Sequence, residues 1–245
     1  MAEIVFIGTS DAFGAGGRRQ AAMLIRTASG AVLLDCGPTT LTGLAELGIP
    51  RDEIDAIVVS HYHGDHFGGI PLFLLAAIHE DRRRHPLEIL GPPGVVERVI
   101  AASAALGHPI DGRAMPFVLG FREFTEGGDL SAGPVEVKAF GVNHDQASAP
   151  HGFVVSANRR RIAYTGDTGW FDALPGHVQD ADLFICECTQ LERVYPLHLS
   201  YADLLEHKGA FKCGRMILTH LGFEMSARRG ACAFETADDG LRIPL

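Results

Sequence analysis

Residues 60–66 read Ser-His-Tyr-His-Gly-Asp-His, and this stretch decides both the fold and the chemistry of the chain. It follows residues 54–60, a strongly apolar run that predicts a buried strand. Three imidazoles and one carboxylate in this loop can surround a cation, and imidazole suits zinc, iron and nickel. The set contains no thiolate, which indicates a catalytic rather than a structural metal site. A chain with 12 histidines would rarely group three of them in this way by chance.

Further metal ligands must come from elsewhere, because one loop of four ligands cannot close two metal sites. Three candidates directly follow other predicted strands, and they are His144, Asp167 and His220. Functional loops gather at the ends of strands. Taken singly, a histidine or aspartate at a strand end is an ordinary turn or capping residue. Together with the first loop, the three supply what two metals need.

The hydrophobic pattern predicts strands first, then alternating helices and strands, and then a recurrence of the same order. We expect strands at residues 3–8, 22–26, 31–35, 54–60, 88–90, 153–156, 162–165, 183–188, 216–219 and 242–244, and antiparallel strands within 117–144. Helices are expected at 38–48, 72–83, 94–106 and 200–211. This order favours two sheets sandwiched between helices over a single parallel sheet. No linker rich in Pro or Ser divides the chain, so residues 1–245 are expected to form a single domain.

The formal net charge is −9, from 21 basic and 30 acidic residues. An acidic chain repels phosphate at long range and is a poor general binder of nucleic acid. Local arginines could still bind one substrate phosphate, and the sequence leaves this open for Arg18, Arg19, Arg228 and Arg229.

Nothing in the sequence indicates a signal peptide or a membrane partner. The apolar residues 4–7 are too few and follow no basic region, and no apolar run is long enough to cross a bilayer. The five cysteines are odd in number and lack the spacing of a zinc ribbon. We therefore expect reduced cysteines and a cytoplasmic location.

The pattern His-x-His-x-Asp-His resembles the most specific motif of the metallo-β-lactamase superfamily, and the later single residues occur in that family's order. The resemblance implies an α/β fold, the four-layer αββα metallo-β-lactamase sandwich. It also implies two ligand sets, with His61, His63 and His144 on one metal, Asp65, His66 and His220 on the other, and Asp167 between them. We expect two zinc ions, and iron or manganese would accept the same ligands.

By this resemblance, two metals about 3.5–4 Å apart would share a hydroxide that attacks the substrate. True β-lactamases of this fold lack an aspartate at the bridging position. Here that position reads Gly166-Asp167-Thr168, which favours the other hydrolase branches. The same metals can attack a carbonyl carbon or a phosphorus, so the ligands alone do not choose the substrate.

Three local motifs are similar to those of ribonuclease Z and of its phosphodiesterase relatives, such as the phosphoribosyl cyclic-phosphate phosphodiesterases. They are Ile-Gly-Thr-Ser-Asp-Ala-Phe at 7–13, Ile-Cys-Glu-Cys-Thr at 185–189 and His-Leu-Ser at 198–200. The likeness implies a catalytic set of Asp65, Glu187 and His198. His198, held by Glu187, would protonate the leaving oxygen. The plainer alternatives are a histidine at a helix start and a surface carboxylate at a strand end.

The chain departs from ribonuclease Z between His144 and Asp167. That family inserts a long tRNA-binding arm there, whereas here only a hairpin with its tip at residues 158–161 is expected. We therefore predict hydrolysis of a small or cyclic phosphodiester by a homodimer, with bulk nucleic acid disfavoured. The alternatives are hydrolysis of a carboxylic ester, lactone, thioester or β-lactam, tRNA 3′-processing, and a regulatory protein with a vestigial metal site. Asp35 is expected to support a metal-bound imidazole.

Overall fold

Two seven-stranded sheets pack face to face at the centre of the fold. The structure is a computed structural model that describes residues 2–112, 114–125 and 128–245. The strands of the first sheet are β1 Glu3–Gly8, β2 Ala22–Thr27, β3 Gly30–Leu34, β4 Ile54–Val58, β5 Leu87–Gly91, β6 Leu119–Glu123 and β14 Arg242–Pro244. Those of the second sheet are β7 Asp129–Ala132, β8 Val135–Gly141, β9 His151–Ala157, β10 Arg160–Tyr164, β11 Leu183–Glu187, β12 Arg215–Thr219 and β13 Glu235–Thr236.

Seven α-helices within the described residues cover the outer faces of the two sheets. They are α1 Thr40–Glu46, α2 Gly64–Phe67, α3 Ile70–His79, α4 Val95–Ala105, α5 Leu174–His177, α6 Tyr201–Glu206 and α7 Phe223–Ala227. No helix in this part of the chain is long and apolar enough to span a membrane.

The central strands are apolar on both faces, and this explains their unbroken hydrophobic sequences. In β1, Ile4 and Phe6 point into the core between the sheets, while Val5 and Ile7 pack beneath the outer helices. Successive side chains of a strand point to opposite faces, so a strand covered on both sides must be apolar throughout. The layers are therefore helix, sheet, sheet and helix.

The topology brings several strand ends to one edge of the molecule. In the second sheet β10, β11 and β12 are parallel, and β8 shares their direction because both β8 and β10 pair antiparallel with β9. In the first sheet β3 and β4 are parallel. Since the carboxyl ends of parallel strands meet at one edge, the loops after these strands can converge on a single site.

Some predicted boundaries and one pairing were wrong. The helix expected at 72–83 is Ile70–His79, and that expected at 200–211 ends at Glu206 before a short 3₁₀ turn. β6 was expected among antiparallel strands, but it pairs parallel with β5 in the first sheet. Residues 126 and 127 of that predicted region lie outside the described residues.

Candidate metal centre

The seven predicted ligands lie in four loops that meet at the strand ends. Residues 61–66 follow β4, His144 follows β8, Asp167 follows β10 and His220 follows β12. Gly166 has a φ of +58°, and a Cβ there would lie 2.7 Å from the carbonyl oxygen of His151. Glycine is therefore required for the turn that presents Asp167.

The structure brings the seven residues into two groups that share Asp167. Within each group, one ligand atom of every residue lies within 4.8 Å of the others. The first group is His61, His63, His144 and Asp167. The second group is Asp65, His66, Asp167 and His220. Asp167 is common to both groups, and its role as a bridge between two metals stays a prediction.

Three polar atoms at the centre are buried without a hydrogen-bond partner among the described residues. They are Nε2 of His61, Nε2 of His66 and Oδ1 of Asp167. Unpartnered buried polar atoms are costly and rare in proteins. Two imidazole nitrogens and a carboxylate oxygen are suitable ligands for zinc, iron or manganese, so these atoms fit a divalent metal.

The opposite nitrogens of the histidines are held by hydrogen bonds. His144 Nδ1 donates to the carbonyl oxygen of Leu197 at 2.7 Å, and His66 Nδ1 to Asp35 Oδ2 at 2.8 Å. His63 Nε2 lies 3.2 Å from Asp145 Oδ2, so it is Nδ1 of His63 that faces the centre. Partners of this kind fix the ring tautomer and aim the other nitrogen at a metal.

Asp35 lies beneath the centre and supports it as expected. It is fully buried, and it accepts hydrogen bonds from the backbone N–H and hydroxyl of Ser60, from His66 and from the Tyr164 hydroxyl. Its φ of +59° is unusual for a residue other than glycine, and four hydrogen bonds hold it there. Neither Tyr164, which holds Asp35, nor Asp145, which holds His63, was predicted from the sequence.

Burial and neighbouring charges shift the pKa values of the candidate ligands in different directions. Burial lowers the pKa of His61 well below its ordinary value, and His66 lowers it further. Burial acts on His66 in the same direction, but Asp167 and Asp65 outweigh it and raise its pKa. Burial alone would raise the pKa of Asp167, yet His220 and His66 hold it well below its usual range. The carboxylates are therefore ionised and attract cations.

His198 and Glu187 lie beside both ligand groups. The ring of His198 is 4.9 Å from that of His144 and stacks on His220 at 5.7 Å. His198 Nδ1 is 2.9 Å from Glu187 Oε1, and Glu187 is fully buried rather than a surface carboxylate. Burial lowers the pKa of His198, but Glu187 and then Asp167 raise it to about 9. The helix start nearby is capped by Ser200, so His198 is free of that role.

A cleft of about 360 Å³ opens onto the two groups. Its walls include Phe13 and Tyr195, whose side chains are exposed, together with Asp11, Gln190 and His198. No lysine or arginine lines it within the part of the chain that the structure describes. This volume suits a small ligand.

The arginines that were considered for substrate binding are mostly occupied elsewhere. Arg18 pairs with Asp238 at 2.8 Å and Arg229 with the same carboxylate at 2.6 Å. Arg19 pairs with Glu46 and with a second aspartate near the chain end. Of the four, Arg228 alone has no carboxylate partner among the described residues.

The predicted hairpin between His144 and Asp167 is present. β9 and β10 are joined by Asn158 and Arg159, both with positive φ, which is typical of a two-residue hairpin turn. Arg160 pairs with Asp182 at 2.8 Å. The tip is a tight surface turn with no room for an arm.

Comparisons with known proteins identify relatives of this chain. A family model described as anti-Pycsar protein Apyc1 matches residues 2–236. The ribonuclease Z of Lachnoclostridium phytofermentans is 32% identical over 160 residues, which cover 65% of this chain and 50% of that protein. The ribonuclease Z of Bradyrhizobium sp. strain ORS 278 is 26% identical over 274 aligned positions, which cover 90% of each chain. The chain thus spans half the length of the first relative and nine-tenths of the second.

Two solved structures share the architecture. The metallo-β-lactamase fold protein YhfI from Bacillus subtilis superposes with a TM-score of 0.80 at 21% identity and covers 99% of both chains. The short form of human tRNase Z superposes with a TM-score of 0.75 at 24% identity and covers 98% of both. At these identities the likeness is one of fold, and it confirms the predicted αββα sandwich.

Proposed function

The chain belongs to the family of the anti-Pycsar protein Apyc1, and from that premise we propose that it hydrolyses a small or cyclic phosphodiester. It is a metal-dependent hydrolase of the metallo-β-lactamase superfamily, near the ribonuclease Z branch. We propose that two zinc ions bind, one to each ligand group, with Asp167 between them. Their contribution when bound is Lewis acidity toward the substrate oxygens and a pKa of bound water lowered to about 7.

The position of His198 is the observation that carries the proposal. A phosphodiester with an alcohol leaving group requires a proton on the departing oxygen. His198 lines the cleft, and its Nδ1 is held by Glu187, so Nε2 is the nitrogen left to donate. In the metal-free protein Glu187 and Asp167 raise the pKa of the ring to about 9, which favours the protonated form of His198.

The charge and size of the cleft support a small anionic substrate. Since the described cleft residues include no lysine or arginine, a phosphodiester anion would be neutralised by the metals and by His198. A cleft of about 360 Å³ accommodates a small molecule, whereas the short hairpin leaves no arm to hold tRNA. A carboxylic ester gains less from this arrangement, because it brings no negative charge to neutralise.

The test is a comparison of substrates with zinc-loaded enzyme. We expect turnover of an aryl phosphodiester and of cyclic phosphodiesters, with much weaker activity on an aryl ester, a chromogenic β-lactam and precursor tRNA. Asp167→Asn enzyme from the same purification serves as the control for contaminating hydrolases. Efficient hydrolysis of the ester or β-lactam with untouched phosphodiesters would refute the proposal, and site-specific cleavage of precursor tRNA would favour the processing alternative.

The predicted homodimer and cytoplasmic location stay predictions. Phe13 and Phe223 are 92% and 80% exposed, which is unusual for phenylalanine. We propose that a second copy of the chain contacts these two side chains.

A further inference from the structure

Thr189 lies between the Glu187 carboxylate and the ring of His220, at the edge of the second ligand group. Its Oγ1 is 2.8 Å from Glu187 Oε2 and 2.9 Å from His220 Nδ1. Its backbone N–H also donates to Glu187 Oε2, at 3.2 Å. The carboxylate therefore holds Thr189 by both its main chain and its side chain.

The single hydroxyl proton of Thr189 decides which nitrogen of His220 the hydroxyl oxygen can hold. Of the acceptors around the hydroxyl, Glu187 Oε2 is the nearest and is charged, so the hydroxyl donates to it. The hydroxyl lone pair then faces His220 Nδ1, which must carry the ring proton. Nε2 of His220 is then the nitrogen that can give up its proton to a metal, and it lies 3.2 Å from Asp65 Oδ2 and 3.5 Å from Asp167 Oδ1. That nitrogen is the one turned toward the proposed metal.

We propose that Thr189 is a positioning residue whose hydroxyl links Glu187 to His220 and thereby sets the affinity of the second ligand group for its metal. This rests on the proposed assignment of that group as a metal site. Without the hydroxyl, the His220 ring loses the anchor that holds Nδ1 and aims Nε2 at the metal. Loss of such a hydrogen-bond partner lowers metal affinity by about 10–100-fold.

Glu187 thus serves two histidines through its two oxygens. Oε1 accepts from His198 Nδ1 at 2.9 Å and from the backbone N–H of Thr168, next to the bridging aspartate, at 2.7 Å. Oε2 accepts both donors of Thr189. With four hydrogen bonds and no exposed surface, Glu187 positions other groups and does not itself touch substrate.

Ser60 provides a matched comparison at the first ligand group. Its hydroxyl donates to Asp35 Oδ2 at 2.8 Å and lies 3.0 Å from His61 Nδ1. The arrangement repeats that of Thr189, with a buried carboxylate, a hydroxyl and a histidine in line. Ser60 Oγ lies 3.0 Å from His61 Nδ1 and 3.5 Å from His66 Nδ1, so removal of its hydroxyl should weaken mainly the first group, and removal of the Thr189 hydroxyl the second.

The experiment is a titration of metal-free protein with Zn²⁺ against a competing chromophoric chelator. Asp65→Asn identifies the binding step of the second group, because it removes a ligand from that group alone. We expect Thr189→Val to weaken this step by about 10–100-fold, Thr189→Ser to restore it, and Ser60→Ala to weaken the other step. Thr40→Val is the control, a buried substitution on helix α1, which packs on the outer face of the first sheet.

The proposal is overturned if Thr189→Val binds both ions as the unchanged protein does, or if it weakens the step that Asp65→Asn leaves intact. It is also overturned if Thr189→Ser binds as poorly as Thr189→Val. Where circular dichroism shows that the valine variant does not fold, Thr189→Ala against Thr189→Ser gives the same comparison, and equal affinities refute the link. No substrate is used, so the result is independent of the phosphodiesterase proposal.

Discussion

Replacing His198 by alanine should slow the enzyme by an amount that depends on the leaving group. A nitrophenolate departs readily as an anion, whereas a sugar alkoxide is far more basic and needs a proton. Glu187 holds Nδ1 of His198 and raises the pKa of the ring in the metal-free protein, so the ring is placed to carry that proton. The variant therefore loses the full contribution of a positioned acid, about 10²–10⁴-fold on an alkyl or ribose-type diester. This corresponds to about 3–5 kcal/mol of transition-state stabilisation.

The assay is a set of rates for zinc-loaded enzyme and variant across diesters of graded leaving-group pKa. We expect a steeper dependence in the variant and a clearly smaller loss on the nitrophenyl diester. Metal content should be unchanged, because His198 belongs to neither ligand group that shares Asp167. It does form a third possible group with Glu187 and His220, so metal content must be measured in the variant. His207→Ala is the matched control, since that ring stacks on Trp170 and belongs to neither ligand group.

Three results would contradict the assignment of His198 as the acid. Equal losses at every leaving group, with both metals bound, would indicate substrate positioning. Loss of a metal would show that His198 is a ligand. Unchanged activity would show that His198 has no catalytic role and is an ordinary residue before a helix.

Two further predictions concern the metals. Asp167→Ala should lose most of its zinc and its activity, because Asp167 belongs to both ligand groups. If elemental analysis of the variant finds two tightly held ions, Asp167 does not bridge the metals. Zinc uptake at neutral pH should release protons. Burial lowers the pKa of both His66 and His220, but Asp167 and Asp65 outweigh it and raise the pKa above the ordinary value. The metal-free rings therefore hold protons that the metal must displace. Affinity should then rise with pH, and calorimetry in buffers of different ionisation enthalpy that detects no proton release would contradict this.

The sequence predicted the layers of the fold because the pattern is carried by single segments. β1 and β4 are apolar on both faces, which requires cover on both sides and so a sheet buried beneath helices. The pairing of strands that are distant in the chain could not be predicted in this way. β6 contacts β5 across a long connection, and nothing in its own alternation distinguishes a parallel from an antiparallel neighbour. Helices α2 and α5 have four residues each, barely more than one turn, so their periodicity could not be detected.

The candidate ligands could be found from the sequence because each is a charged or imidazole side chain directly after an apolar strand. The residues that support these ligands could not be found from the sequence. Tyr164 ends a buried strand and looks like core, yet its hydroxyl reaches Asp35 on the other sheet at 2.8 Å. Asp145 is partly exposed and holds His63, 82 positions away in the chain. Such partners depend on how the two sheets are placed against each other, which no local pattern records.

The metal ligands do not by themselves select a substrate, because the same centre can attack a carbonyl carbon or a phosphorus. The choice must come from groups whose usefulness differs between the two reactions. Glu187 is such a group through its effect on His198: a buried carboxylate that keeps an imidazole protonated is of most use where the leaving oxygen is strongly basic. Burying that carboxylate is costly, and its four hydrogen bonds offset the cost. A site for activated esters would gain little from this arrangement, which is why the surroundings of Glu187 favour an alkyl phosphodiester.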